Sequence, residues 1–237
     1  MTFIDDTSTE ILSTNLDDTN LGYLTDDFFS TTAEKDGDIT FTVRNRGYKY
    51  FAFMNTYCSR IEFVFKDDDG NTQMTYSHPM YINAAKNCRE LLAGVHSVIA
   101  DHALVQFDTA YSGTVDITLK AENNLCKIGK FTYGVPKKIG DLKWEYYFEE
   151  VETEKIGLAE DDPDKIVERF ELVDANAYIE TAQVANVRQV IKSVKGKKLV
   201  WIEPASGVVV WGKLINSRIT VGNPTSSNVH IVIKGIG

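Results

Sequence analysis

Cysteine is scarce in this chain of 237 residues, and uneven in number. Cys58, Cys88 and Cys126 lie far apart and are odd in number, which excludes a complete disulfide framework and a CxxC metal pair. Buried free thiols are the expectation, in keeping with assembly in a reducing cytoplasm. Long hydrophobic runs are missing too. No window of roughly eighteen apolar residues exists, which argues against a membrane span, and MTFIDDTSTEIL lacks the basic region and apolar core of a signal peptide. Positive charge is outnumbered, with 25 Lys and Arg against 34 Asp and Glu. The net charge of −9 repels phosphate backbones and anionic lipid heads, so a nucleic-acid partner would need a local basic patch. Phosphate-cradling and nucleophile motifs are absent as well: there is no GxGxxG, GxxxxGK[ST] or GxSxG.

What is present is an ordinary globular composition, 43% hydrophobic and 25% charged, with β patterning along most of the length. Residues 1–37 mix Thr, Ser, Asp and Asn with Ile11, Leu12, Leu16, Leu21, Leu24, Phe28 and Phe29 in no clean period. Such a segment suits an arm lying against its own domain or a neighbouring subunit. Strands are expected at Ile39–Arg44 and Tyr48–Asn55 around an Asn-Arg-Gly turn, then at RIEFVFK and QMTYS around the tip DDDGNT, forming an antiparallel meander. The stretch NAAKNCRELLAGVHSVIADH admits a short helix over 84–92 or an irregular crossover. ALVQFD and TVDITLK continue the sheet. Further strands are expected near 144–151, 166–173, 199–203, 208–215 and 229–234, with AEDDPD as a solvated loop.

One helix stands out. Val184, Val187, Val190, Ile191 and Val194 recur at three- and four-residue spacing over 181–195, with Thr181 placed to cap the start and Gly196 the end. Valine is a mediocre helix former, so this helix must be held by packing on a sheet. Lys192, Lys195, Lys197 and Lys198 oppose the negative end of its dipole; a phosphate-binding patch is the alternative reading. The fold class expected is mainly β: two antiparallel β-sandwich, jelly-roll-like units with one short amphipathic helix in the C-terminal half. The domains expected are an N-terminal arm over 1–37, a sandwich over 38–124 and a C-terminal β-rich domain over 125–237.

Candidate chemistry is thin. Aligning Gly70 of the DDDGN tip with the invariant glycine of an EF-hand puts Phe65 and Tyr76 where carboxylates are required, so the tip reads as a turn; a different Ca²⁺ cluster of Asp67, Asp68 and Asp69 has no supporting spacing. Of His78, His96, His102 and His230, only His96 and His102 are close, and six residues apart fits no metal pair. Glu149, Glu150, Glu152 and Glu154 could supply a glycosidase-like pair, as carboxylates in any acidic protein could. Aromatic residues are more telling: Trp144, Tyr146, Tyr147, Trp201 and Trp211 either pack in the core or form a face on which a sugar ring could stack. In WEYYF, Trp144, Tyr146 and Phe148 share a face and Tyr147 points away. No catalytic, metal or cofactor residue is assigned, no cofactor is expected, and ligand-binding residues stay open.

ALVQFDTAYSGT, CKIGKFTYGVPKKIGD, KKLVWIEP, VVVWGKLI and HIVIKGIG carry a loose resemblance, over Ala103 to Gly237, to virion structural proteins of the tail tip or baseplate of tailed bacteriophages. Ile128, Gly129, Tyr133, Gly134, Ile139, Gly140, Trp201, Ile202, Gly212 and Gly235 fill the positions of that pattern. DLKWEYYFEE stands where the family often has a Tyr-Ser-Arg-like stretch, so no ligand specificity carries over there. The resemblance implies a non-enzymatic part of a tail tip, baseplate or collar, located in the virion and assembled in the host cytoplasm. Its implied partners are other phage tail proteins and further copies of itself, with bacterial surface carbohydrate in a host-attachment role. The alternative is a stand-alone carbohydrate-binding β-sandwich module, and a hydrolase is the third reading.

Overall fold

The fold is taken from a computed structural model that describes residues 1–4, 10–25, 31–83, 97–155, 166–203 and 208–235. The N-terminal stretch forms β1 (Thr2–Ile4), β2 (Ile11–Thr14), α1 (Asp18–Thr25) and β3 (Ala33–Asp36). Next come β4 (Ile39–Arg46), β5 (Tyr50–Tyr57), β6 (Arg60–Lys66) and β7 (Thr72–Pro79). A small pair, β8 (Tyr81–Asn83) and β9 (Ser97–Ile99), precedes β10 (His102–Gln106), β11 (Ser112–Lys120) and β12 (Leu125–Gly134). The remainder holds β13 (Pro136–Lys138), β14 (Asp141–Lys155), β15 (Ile166–Glu180), α2 (Val184–Val194), β16 (Lys198–Glu203), β17 (Val208–Val221) and β18 (Ser226–Gly235). The expected helix over 84–92 lies outside the described residues. No helix among the described residues is long and apolar enough to cross a membrane, which leaves strands unaddressed.

The chain divides into two compact units, Asp6–Val135 and Met1–Asp5 with Pro136–Gly237. This division differs from the one expected from sequence. Leu125, the expected start of the last domain, opens β12, which pairs with β5 and β3 inside the first unit. The residues of the expected arm are woven into sheets: β1 lies between β13 and β16, β2 pairs with β4, and β3 pairs with β12. Leu24 is buried, and Ile11, Leu16 and Leu21 pack on the same core, so their apolar side chains serve the fold locally.

Asp6–Val135 is a two-sheet sandwich with orders β2-β4-β11-β6-β7 and β10-β5-β12-β3. Alternation drives it. In β11, Val115, Ile117 and Leu119 face inward, opposite Val43, Phe41 and Ile39 of β4 and Phe65, Phe63 and Ile61 of β6. From the other sheet, Phe51 and Phe53 of β5 stand opposite Tyr133 and Phe131 of β12. The rings interlock: Phe51 lies 5.5 Å from Phe63 edge-on and 5.6 Å from Tyr133 stacked, and Phe65 lies 4.8 Å from Phe107. Each such pair adds about 0.5–1.5 kcal/mol beyond its burial. The Tyr133 hydroxyl, buried in this cluster, donates to the Arg44 carbonyl at 2.8 Å, so the polar tip of the ring is satisfied.

One topological expectation changes here. The runs that become β4 and β5 do not form a hairpin; they belong to different sheets. Gly47, at φ 83°, turns the chain, and Asn45, 2% exposed, fixes the corner. Its side chain donates to Tyr111 O at 2.6 Å and accepts from Tyr48 N at 2.9 Å. The β6–β7 hairpin, in contrast, pairs as expected.

The second unit is built on a seven-stranded antiparallel sheet, β13-β1-β16-β17-β18-β15-β14, with α2 as its second layer. Val187, Ile191 and Val194 of α2 are buried with Val173, Ala175, Ala177 and Ile179 of β15 and Val229, Ile231 and Ile233 of β18. The mainly-β class with one amphipathic helix in the C-terminal half therefore holds. Thr181, expected as the cap, sits in a 3-10 turn (Thr181–Gln183) and donates instead to Asn223 O at 2.8 Å. The helix ends as expected: Lys195 N bonds Ile191 O, and Gly196 takes φ 81°. Gly212 is needed for contact, since a Cβ there would stand 2.5 Å from the Lys234 carbonyl oxygen of β18.

At one edge the sheet runs out while its last two strands continue. β18 covers β15 only from Leu172 to Glu180. Six further rungs, from Glu150↔Glu171 to Lys155↔Ile166, join β14 and β15 to each other alone. This ribbon reaches roughly 20 Å beyond the sheet at about 3.4 Å per residue. Among the described strands, β14 has no second neighbour.

Candidate binding face

Alternation on β15 and β18 sends apolar residues to the helix side and polar ones to the other face. Asp174, Asn176 and Tyr178 of β15 lie opposite Val232, His230 and Asn228 of β18, which in turn lie opposite Asn216, Arg218 and Thr220 of β17. His230 Nε2 and Asp174 Oδ1 are 2.7 Å apart, both half-exposed. Tyr147 of β14 stands opposite Asp174 and is 67% exposed. Tyr178 is 45% exposed on the same face, four residues and roughly 13 Å along β15 from Asp174. Two tyrosines thus flank a row of hydrogen-bonding groups that includes a carboxylate, an imidazole, a guanidinium and three carboxamides. Two bulges help to shape this face, between Leu142 and Tyr146 on β14 and between Leu214 and Asn216 on β17. Chemically the face can stack on a flat apolar surface and hydrogen-bond around it, the combination that a sugar ring or a polar protein surface requires.

The residues singled out from sequence fall mainly elsewhere. Trp201 is 1% exposed and donates its Nε1–H to Gly212 O at 3.1 Å, and Trp211 is 4% exposed, so neither offers a stacking platform. The side chains of Trp144, Tyr146 and Phe148 lie outside the described residues; Tyr147, whose side chain is described, stands on the open face. The DDDGN tip is a turn held by its own carboxylate. Asp67 accepts backbone hydrogen bonds from Asn71 at 2.7 Å and Asp69 at 3.1 Å, and these hold its carboxyl below the usual aspartate range. His102 pairs with Asp101 at 2.7 Å, and His96 lies outside the described residues. Among the described residues no group of three or more His, Cys, Asp or Glu side chains is placed to hold a metal ion. Cys58 and Cys126 are buried free thiols in contact; the hydrogen bond to Cys126, then burial, pushes the Cys58 thiol far up. Cys88 is outside the described residues. Of the five glutamates on β14, only Glu149 has a described side chain, and it is exposed.

The glycines of the tail-protein pattern have local structural roles. Gly140 would carry a Cβ 2.7 Å from Tyr178 O, in the same way that Gly212 meets Lys234. Sequence reasoning missed the open face itself. Its signal was the i, i+2 row of polar residues in β15 and β18, Asp174-Asn176 and Asn228-His230, which alternates with the apolar row.

No family model and no curated protein matches this sequence. Among solved structures, a Streptococcus pneumoniae fucose binding module aligns with 54% of this chain and 93% of its own length, at a TM-score of 0.36 and 8% identity. No residue role is transferred from it.

Proposed function

We propose that this chain is a non-enzymatic structural component of a bacteriophage tail, in the tip, baseplate or collar, and that it works by assembling with other virion proteins and with further copies of itself. The observation that supports this reading is the β14–β15 ribbon. An isolated two-stranded hairpin is marginal in water, and a long strand with an open edge invites pairing. Six rungs projecting past the sheet are therefore best accounted for by a covering neighbour. The sequence resemblance supplies the kind of assembly. Electron-microscopy reconstruction of virions tests it: density for this chain in the tail is expected, and virions without it would overturn the reading.

A second reading, recognition of bacterial surface glycan, is favoured by the open face bearing Tyr147, Tyr178, Asp174 and His230. Binding on a glycan array that is lost in Tyr147→Ala with the fold intact would support it. Because Trp211 is buried, its substitution would report on folding and not on this face.

A further inference from the structure

Charge in the second unit is sharply segregated along the chain. The ribbon strands, residues 150–155 and 166–171, hold five carboxylates, Glu150, Glu152, Glu154, Glu168 and Glu171, against two cations, Lys155 and Arg169. Residues 181–198, which contain α2 and the Gly196 turn, hold Arg188, Lys192, Lys195, Lys197 and Lys198 and no carboxylate. Arg188, Lys192, Lys195 and Lys197 are exposed, and among the described residues none of these four enters an ion pair. The helix dipole accounts for Lys192 and Lys195, at the last turn. It does not account for Arg188, a turn earlier, because that effect fades within one turn.

We infer that the ribbon of one copy docks against the basic end of α2 on a second copy. The inference rests on the assembly reading above and names its contact. Charge complementarity selects the occupant: an acidic ribbon with an open edge is poorly suited to pair with another acidic ribbon, whereas α2 offers a compact surface of opposite sign. The two surfaces differ, so the contact is heterologous. Repeated from copy to copy, it either closes into a ring or continues as an open array. Solvent-exposed charge pairs of this kind steer association and are screened by salt, with a Debye length of about 10 Å at 0.1 M and 3 Å at 1 M.

A charge-swap experiment on the full chain tests this. One variant reverses the ribbon (Glu150→Lys, Glu152→Lys, Glu154→Lys) and the other reverses the patch (Lys192→Glu, Lys195→Glu, Lys197→Glu), with circular dichroism to verify folding and sedimentation velocity to read assembly. The wild-type chain is expected to self-associate and to dissociate as salt rises. Each variant alone should associate roughly tenfold to a hundredfold more weakly, and an equimolar mixture of the two should recover assembly, since each reversed surface meets its new complement. A monomeric wild-type chain, variants that assemble like wild type, or folded variants whose mixture stays dissociated would each overturn the inference; the last outcome would point to a different basic partner for the ribbon. A monomeric chain that is nonetheless found in virion tails removes this contact and leaves the tail reading standing. Charge-swap recovery by a chain absent from virions does the reverse.

Discussion

The sandwich of Asp6–Val135 and the sheet of the second unit place their apolar residues differently. In the sandwich, two sheets close over one aromatic cluster, and the inward residues of β11 are matched on both sides by β4 and β6. In the second unit one helix covers one face, the opposite face carries Asp174, His230 and Arg218, and a ribbon leaves the sheet altogether. The sandwich closes its core between two sheets, whereas the second unit presents two kinds of surface that its own described strands do not cover. Under the proposed function, that contrast assigns the closed aromatic core to the first region and the contacts with other molecules to the second.

The largest expected effect is in the sandwich. Phe51→Ala removes a fully buried ring in contact with Phe63, Phe65, Phe107 and Tyr133, and should lower stability by about 3–5 kcal/mol in chemical denaturation. Ile191→Ala, on the helix that packs as a second layer on the sheet, should cost about 2–4 kcal/mol, read from an unfolding transition followed by tryptophan fluorescence. If Phe51→Ala shifts that transition as much as Ile191→Ala does, the two regions do not differ as described.

Smaller effects sharpen the comparison. Asp38 is hydrogen-bonded to Lys120 Nζ at 2.8 Å and Ala121 N at 2.9 Å, and the lysine first, then the backbone N–H, holds its carboxyl below the usual aspartate range. A depressed folded-state value means that this stabilisation is complete above the unfolded aspartate range and is lost as pH falls through the folded one. The wild-type advantage over Asp38→Asn should therefore shrink in acid, by less than about 1 kcal/mol because the pair is partly exposed; pH-dependent denaturation of both proteins measures it. Smallest of all, Tyr147→Ala should leave stability within about 0.5 kcal/mol, since the side chain is mostly exposed. A larger loss would mean that Tyr147 belongs to a core and not to a binding face.

Much of this organisation was readable before any coordinates. Strict alternation announced β6 and β11, the valine stripe announced α2, and the Asx-rich DDDGN tip announced a turn. Sheet membership was not readable, because β4 and β5 alternate in the same way whichever sheet they join. The domain boundary was obscured by β12, whose burial on both faces from Gly129 onward removes the alternation that marks an ordinary strand. β1 and β3, at three and four residues, are too short to show a period. The open face depends on register across β14, β15, β18 and β17, with bulges at Leu142 and Leu214 that no local pattern specifies. The tryptophans drew attention by residue type, yet Trp201 and Trp211 are core residues and the less conspicuous Tyr147 and Tyr178 are the ones presented.

Amide hydrogen exchange along 150–155 and 166–171, compared between the dilute chain and its assembled form, tests most directly the claim that the second unit needs a partner. Fast exchange in the dilute chain and strong protection on assembly are expected, with β11 protected in both. Ribbon amides as well protected in the dilute monomer as in the assembly would contradict it.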